Sequence, residues 1–108
     1  MARLTKAYYS RFHKNPPPRV VMTLDEVRKF QVDFNAGLES ETVSSVAWTH
    51  RTEAVEIADA TLSAGLASCE GTAEREGKER ISCIATLSSG RKLKQWFSIK
   101  VIDEADVR

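Results

Sequence analysis

The stretch that decides the fold is "TLSSGRKLKQWFSIKVID", Thr86–Asp103. It opens on Ser88-Ser89-Gly90-Arg91, whose composition predicts a tight hairpin turn with Gly90 at positive φ. Strict alternation follows. Leu93, Phe97, Ile99 and Val101 fall on one face, and Lys92, Lys94, Ser98 and Lys100 on the other. A period of two is that of a half-buried strand. Two residues sit against the pattern: Gln95 on the apolar face, and Trp96 among the lysines. An inward Trp96 would need a bulge near Gln95 that is undone one residue later, so the expectation is an outward tryptophan acting as a contact anchor.

Working back from this strand, the same signal recurs. "VRKFQVDF" (27–34), "TVSSVAW" (42–48), "EAVEIAD" (53–59), "AGLASCEG" (64–71) and "ERISCIATL" (79–87) alternate apolar and polar residues between turn-forming stretches. "MTLDEVRKF" places Thr23 and Glu26 in capping-box register, but the period of two that follows limits any helix to one turn. About seven short strands spaced roughly 8–12 residues apart predict an all-β antiparallel sandwich over residues 21–108. Trp48, flanked by Ser44 and Ser45, is expected in the core between the sheets.

Residues 1–20 read differently. They contain Arg3, Lys6, Arg11, Lys14 and Arg19, three aromatics (Tyr8, Tyr9, Phe12), and no acidic residue, and they end in Pro16-Pro17-Pro18. Leu4, Tyr8 and Phe12 would share one stripe of a short helix, too short to be stable alone. The expectation is an extended arm outside the core, attaching to a neighbour through those aromatic and basic residues.

The 108 residues carry 16 Lys+Arg and 15 Asp+Glu, and the 42% hydrophobic content is that of a globular domain. No run reaches the roughly 18 apolar residues of a membrane span, and there is no apolar signal core at the N-terminus. A cytoplasmic origin is therefore expected, with Cys69 and Cys83 reduced and buried; a hairpin centred near Glu76 would nevertheless set them opposite one another. His13 and His50 belong to no metal-ligand or catalytic array, and no phosphate loop or nucleophile elbow occurs. The many glutamates, Glu79 among them, read as solvated surface. Neither an enzyme, a cofactor nor a metal is expected.

In order along the chain, Asp33-Phe34, Leu38, Val43-Ser44-Ser45-Val46-Ala47-Trp48, and Ser88-Ser89-Gly90-Arg91 with Phe97, Ile99 and Val101 resemble a family of small tailed-bacteriophage virion proteins. These are the fibre–tail adaptor or immunoglobulin-like structural proteins. The resemblance covers residues 25–103. It departs from the family pattern at "GTAEREGKERI", where a glycine-rich hairpin is usual. It implies an immunoglobulin-like form of the antiparallel sandwich and a non-enzymatic connector in a virion, made in the host cytoplasm and present in multiple copies among other virion structural proteins. A capsid decoration protein, or a nucleic-acid-binding module using the basic arm, is the alternative. The residues expected at partner contacts are Arg3, Lys6, Tyr8, Tyr9, Arg11 and Phe12, then Lys14, Arg91, Lys94 and Trp96; no membrane partner is expected, and nucleic acid is the weaker reading.

Overall fold

The computed structural model describes residues 3–9 and 17–103. Among them are eight strands: β1 (Arg3–Tyr8), β2 (Arg19–Thr23), β3 (Val27–Asp33), β4 (Val43–His50), β5 (Val55–Ser63), β6 (Leu66–Ala73), β7 (Gly77–Leu87) and β8 (Lys92–Ile102). A single 3-10 turn, Asn35–Gly37, lies between β3 and β4. The strands form two four-stranded sheets, β1-β3-β6-β5 and β2-β8-β7-β4. This is the strand grouping of an immunoglobulin-like sandwich, with eight strands where about seven were expected. The alternating residues of the two inner faces make the core, which includes Phe30, Val32, Ile81, Leu87, Phe97 and Ile99.

The additional strand comes from the segment expected to be an arm. Residues 3–8 are β1, paired in parallel with β3 from Arg3↔Arg28 to Tyr8↔Asp33. Arg19–Thr23 is β2, paired in parallel with β8. The described part of the arm is thus built into both sheets and does not leave the domain. Ala7 and Tyr9 are buried, and Tyr9 packs on Phe34 with ring centroids 5.8 Å apart. A helical stripe through Leu4 and Tyr8 is replaced by a period of two, in which those residues face outward and Ala7 inward. Arg11, Phe12 and Lys14 lie outside the described residues.

The β2–β3 corner keeps half of the expected capping box without a helix. The Thr23 amide donates to Glu26 Oε1 at 3.2 Å, and the Glu26 amide donates to the Thr23 carbonyl at 3.0 Å. Asp25 takes φ 68° there, and the chain crosses from one sheet to the other.

The segment between the cysteines is also not a hairpin. Cys69 lies on β6 opposite Phe30, and Cys83 lies on β7 opposite Trp48 and Gln95, in the other sheet. Residues 74–76 carry the chain between sheets. Both cysteines are free and buried. Burial pushes each thiol to about 12, with the Glu70 charge adding to the effect at Cys69 and the Cys69 sulfur adding to it at Cys83.

Trp48 is half-buried at the β4 margin of the core, not at its centre. Its ring stacks on Phe97 at 6.3 Å. Its Nε1 is enclosed without a hydrogen-bond partner.

Candidate protein-interaction site

Three connections meet at one end of the sandwich: β3–β4, β5–β6 and β7–β8. Each is shaped by local sequence. Ala64 (φ 49°) and Gly65 (φ 79°) join Ser63 to Leu66 in a two-residue turn, whose positive φ at both positions matches the right-handed twist of the flanking strands. Leu87 and Arg91 close a three-residue turn in which the Leu87 amide donates to the Arg91 carbonyl at 2.8 Å and the Gly90 amide to the Leu87 carbonyl at 2.9 Å. Gly90 has φ 91°, as the sequence required. The longer β3–β4 connection holds two exposed left-handed residues, Glu39 (φ 49°) and Ser40 (φ 83°).

Arg91 ties these loops. Its Nη2 donates to the Gly37 carbonyl at 2.9 Å and lies 3.2 Å from Glu41 Oε2 and 4.0 Å from Glu39 Oε2. The Ser89 amide donates to Glu41 Oε1 at 3.0 Å, and the Ser88 amide to the Thr42 carbonyl at 2.9 Å. The Ser89 hydroxyl and amide, then the Arg91 charge, hold the Glu41 carboxyl below its ordinary value against a smaller opposing effect of burial. Across the end, the Phe34 amide donates to the Gly65 carbonyl at 3.0 Å. Asn35 Nδ2 bonds both Asp33 Oδ1, at 2.9 Å, and the Ala64 carbonyl, at 3.4 Å. The tip is polar, exposed and cross-braced.

The other residues expected at partner contacts are dispersed. Arg3 contributes backbone to β1. Lys6 is half-buried with Nζ 4.9 Å from the Tyr8 ring centroid, and Tyr8 is exposed. Tyr9 is a core residue, which removes it as an anchor. Lys94 and Trp96 lie on the outer face of β8. The unbroken β7–β8 register (Ser82↔Trp96, Cys83↔Gln95) leaves Gln95 inward, where its Nε2 donates to the Trp96 carbonyl at 3.1 Å. Trp96 is half-buried on the outer face, with the Arg80 guanidinium carbon 5.0 Å from its ring centroid.

At the opposite end a buried carboxylate organises the β4–β5 connection. Glu79, 4% exposed, accepts from the amides of Arg51 and Thr52 (2.9 Å each), the Thr52 hydroxyl (2.8 Å), and the amides of Arg80 (2.9 Å) and Val55 (3.4 Å). His50 Nδ1 bonds the Thr52 carbonyl and lies 3.8 Å from Glu79 Oε2. Sequence composition alone places Glu79 on the surface, and the structure buries it. The missed signal is its parity, since it shares a face with Ile81, Cys83, Ala85 and Leu87.

Among the described residues no group of three His, Cys, Asp or Glu side chains could hold a metal ion. Among the same described residues no helix is long and apolar enough to cross a membrane.

No family model matches the chain, and no curated protein matches it. Solved structures do share its fold. The cysteine protease inhibitor EhICP2 of Entamoeba histolytica superposes with TM-score 0.56 at 12% identity, over 94% of this chain and 97% of that one. Amebosin, solved in solution, superposes with TM-score 0.51 at 12% identity, over 94% and 99%. Neither is named as a virion protein. The expectation of a virion connector with virion partners is corrected on that finding. The basic segment is also not the free arm expected of a nucleic-acid reader, since its described part is strand in both sheets.

Proposed function

We propose that the protein is a non-enzymatic binding module that docks the loop end of its sandwich on a cysteine protease and inhibits it. The observation that carries this reading is the brace at that end, where Arg91 holds the β3–β4 connection against the β7–β8 turn. A loop cluster fixed before binding loses less conformational entropy on docking, which raises affinity without further contacts. Glu39, Ser40 and the Ser88–Gly90 turn project from it exposed. The fold shared with an inhibitor of this class supports the partner. The buried, strongly protonated thiols of Cys69 and Cys83 support a module without a nucleophile of its own, since the thiolate is the reactive form.

The test is titration of the protein into a papain-type cysteine protease turning over a fluorogenic peptide. The rate should fall as the protein is added. Arg91→Ala should raise the inhibition constant by about tenfold, the cost of releasing a preorganised loop, while its melting temperature stays close to wild type. An unchanged turnover rate at large molar excess would overturn the proposal.

A further inference from the structure

We infer that the outer face of the sheet β2-β8-β7-β4 is a second docking surface, built for an acidic protein and distinct from the loop end. The inference goes beyond the inhibitor reading and does not depend on it.

The strand register assembles this face from residues far apart in sequence. Arg19 on β2 lies opposite Ser98, and Ser98 lies opposite Arg80 on β7. Exposed Arg51, just past β4, donates its amide to the Arg80 carbonyl at 3.3 Å. One row along, Lys78 and Lys100 are direct cross-strand partners. Lys94 and Lys92 continue the charge along β8 beyond Trp96. The outward positions of these four strands hold no Asp or Glu, although the chain as a whole has 15 acidic residues against 16 basic ones. None of these cations makes an ion pair among the described residues. Like charges placed directly opposite destabilise a sheet, and local rules are broken where function requires it.

What lies between the cations fits a flat contact. Ser98, Ser82, Thr49, Thr86 and Ser45 are short. Trp96 is the large side chain near the centre, and Val21 beside Lys100 is 57% exposed. Tryptophan and arginine at the middle of a patch are the composition that concentrates binding energy in protein contacts. Lysines around it steer an oppositely charged partner and speed its encounter.

The geometry favours protein over nucleic acid. A single-strand platform needs open aromatic faces on which bases stack, whereas the Trp96 ring already carries the Arg80 guanidinium. Four strands span about 14 Å at ~4.8 Å per spacing, while the major groove of a duplex admits a helix or a two-stranded ribbon. Arginines set across the sheet instead offer planar forks to carboxylates.

The probe is poly-L-glutamate, with Trp48→Phe as the background so that Trp96 is the sole tryptophan. Binding at low salt should shift Trp96 emission and should weaken as salt is raised. Lys78→Glu with Lys100→Glu should weaken it about tenfold or more. The control pair Lys29→Glu with Arg75→Glu, off this face, should change it by less than about twofold. Each variant is checked by its thermal midpoint. If the face pair fails to fold, the Trp96 emission shift in the unmutated face decides. Absence of binding, an unmoved Trp96 emission, or an equal loss in the control pair overturns the inference. Tighter binding of a deoxythymidine oligonucleotide of matched charge also overturns it, assigning the face to nucleic acid.

Discussion

Replacing Glu79 with glutamine tests the least visible tie in the molecule. The carboxylate accepts from three donors at Oε1, the amides of Arg51, Thr52 and Arg80, and from two at Oε2, the Thr52 hydroxyl and the Val55 amide. Glutamine keeps the size but puts an NH2 against one of these sets. Hydrogen bonds to a charged acceptor contribute about 1.5–3 kcal/mol each, so a simple sum would be far too large. Arg51 and Thr52 are exposed and can recover water, and the Arg51 amide already shares the Arg80 carbonyl. The Val55 and Arg80 amides cannot recover so readily. Glu79→Gln should therefore cost about 2–3 kcal/mol, a substantial share of the roughly 5–15 kcal/mol that holds a domain together.

Acidity gives a second, independent signature. Burial pushes the Glu79 carboxyl up, but the donors of Thr52, Arg80 and Arg51 together outweigh it and hold the group below its ordinary value. A depressed carboxyl contributes stability that is present above the unfolded-state value and lost as pH falls through the folded-state value. Urea unfolding at about pH 7 and about pH 4 should show the wild type losing midpoint on acidification and Glu79→Gln losing less, with unchanged m-values. A variant within about 0.5 kcal/mol of wild type, with the same acid loss, would refute the assignment of Glu79 as the anchor of the β4–β5 connection.

Gly90→Val should cost about 1–2 kcal/mol through its left-handed φ alone, since a Cβ there meets no atom within 4 Å; Gly90→Asn should cost less, and thermal melts separate the two. Trp48→Ala should lose about 2–3 kcal/mol of packing on Phe97, whereas Trp48→Phe, which removes an enclosed and unpaired Nε1–H, should lie within about 1 kcal/mol of wild type in denaturant titrations. The thiols of Cys69 and Cys83, raised to about 12 by burial, should react with a disulfide reagent at mildly alkaline pH no faster than the chain opens, as stopped-flow absorbance would read.

Period-two patterning made the class of fold and the later strands legible, because long strands with one buried face write their orientation into alternate residues. β7 and β8 do so for eleven residues each. The Gly90 turn was legible because few residues tolerate its backbone. Patterning failed for β1, where one inward residue is Ala7 and outward Leu4 and Tyr8 mimic a helical stripe. Charges on an edge strand, which guard it against unwanted pairing, looked like an arm. Alternation also gives no partner: the cysteine segment obeys it on both sides of residues 74–76, yet the two halves belong to different sheets. For the same reason the loop brace and the cationic face were hidden. Arg91 announced a turn but not Gly37, and Arg19, Lys78 and Lys100 become neighbours only through register.

The parallel pairing of β2 with β8 has a kinetic consequence. Arg19 meets Ser98, and Thr23 meets Ile102, so β2 finds its place only against β8, the last of the eight described strands. During synthesis β2 must wait unpaired until β8 has left the ribosome, and on refolding this ladder closes the longest loop among the paired strands. Closing so long a loop costs entropy before its contacts repay it, so this ladder forms late, after the shorter-range pairs are in place. Mutations that weaken β2, Val20→Ala for instance, should leave the folding rate nearly unchanged and speed unfolding, the behaviour of an element that docks after the transition state.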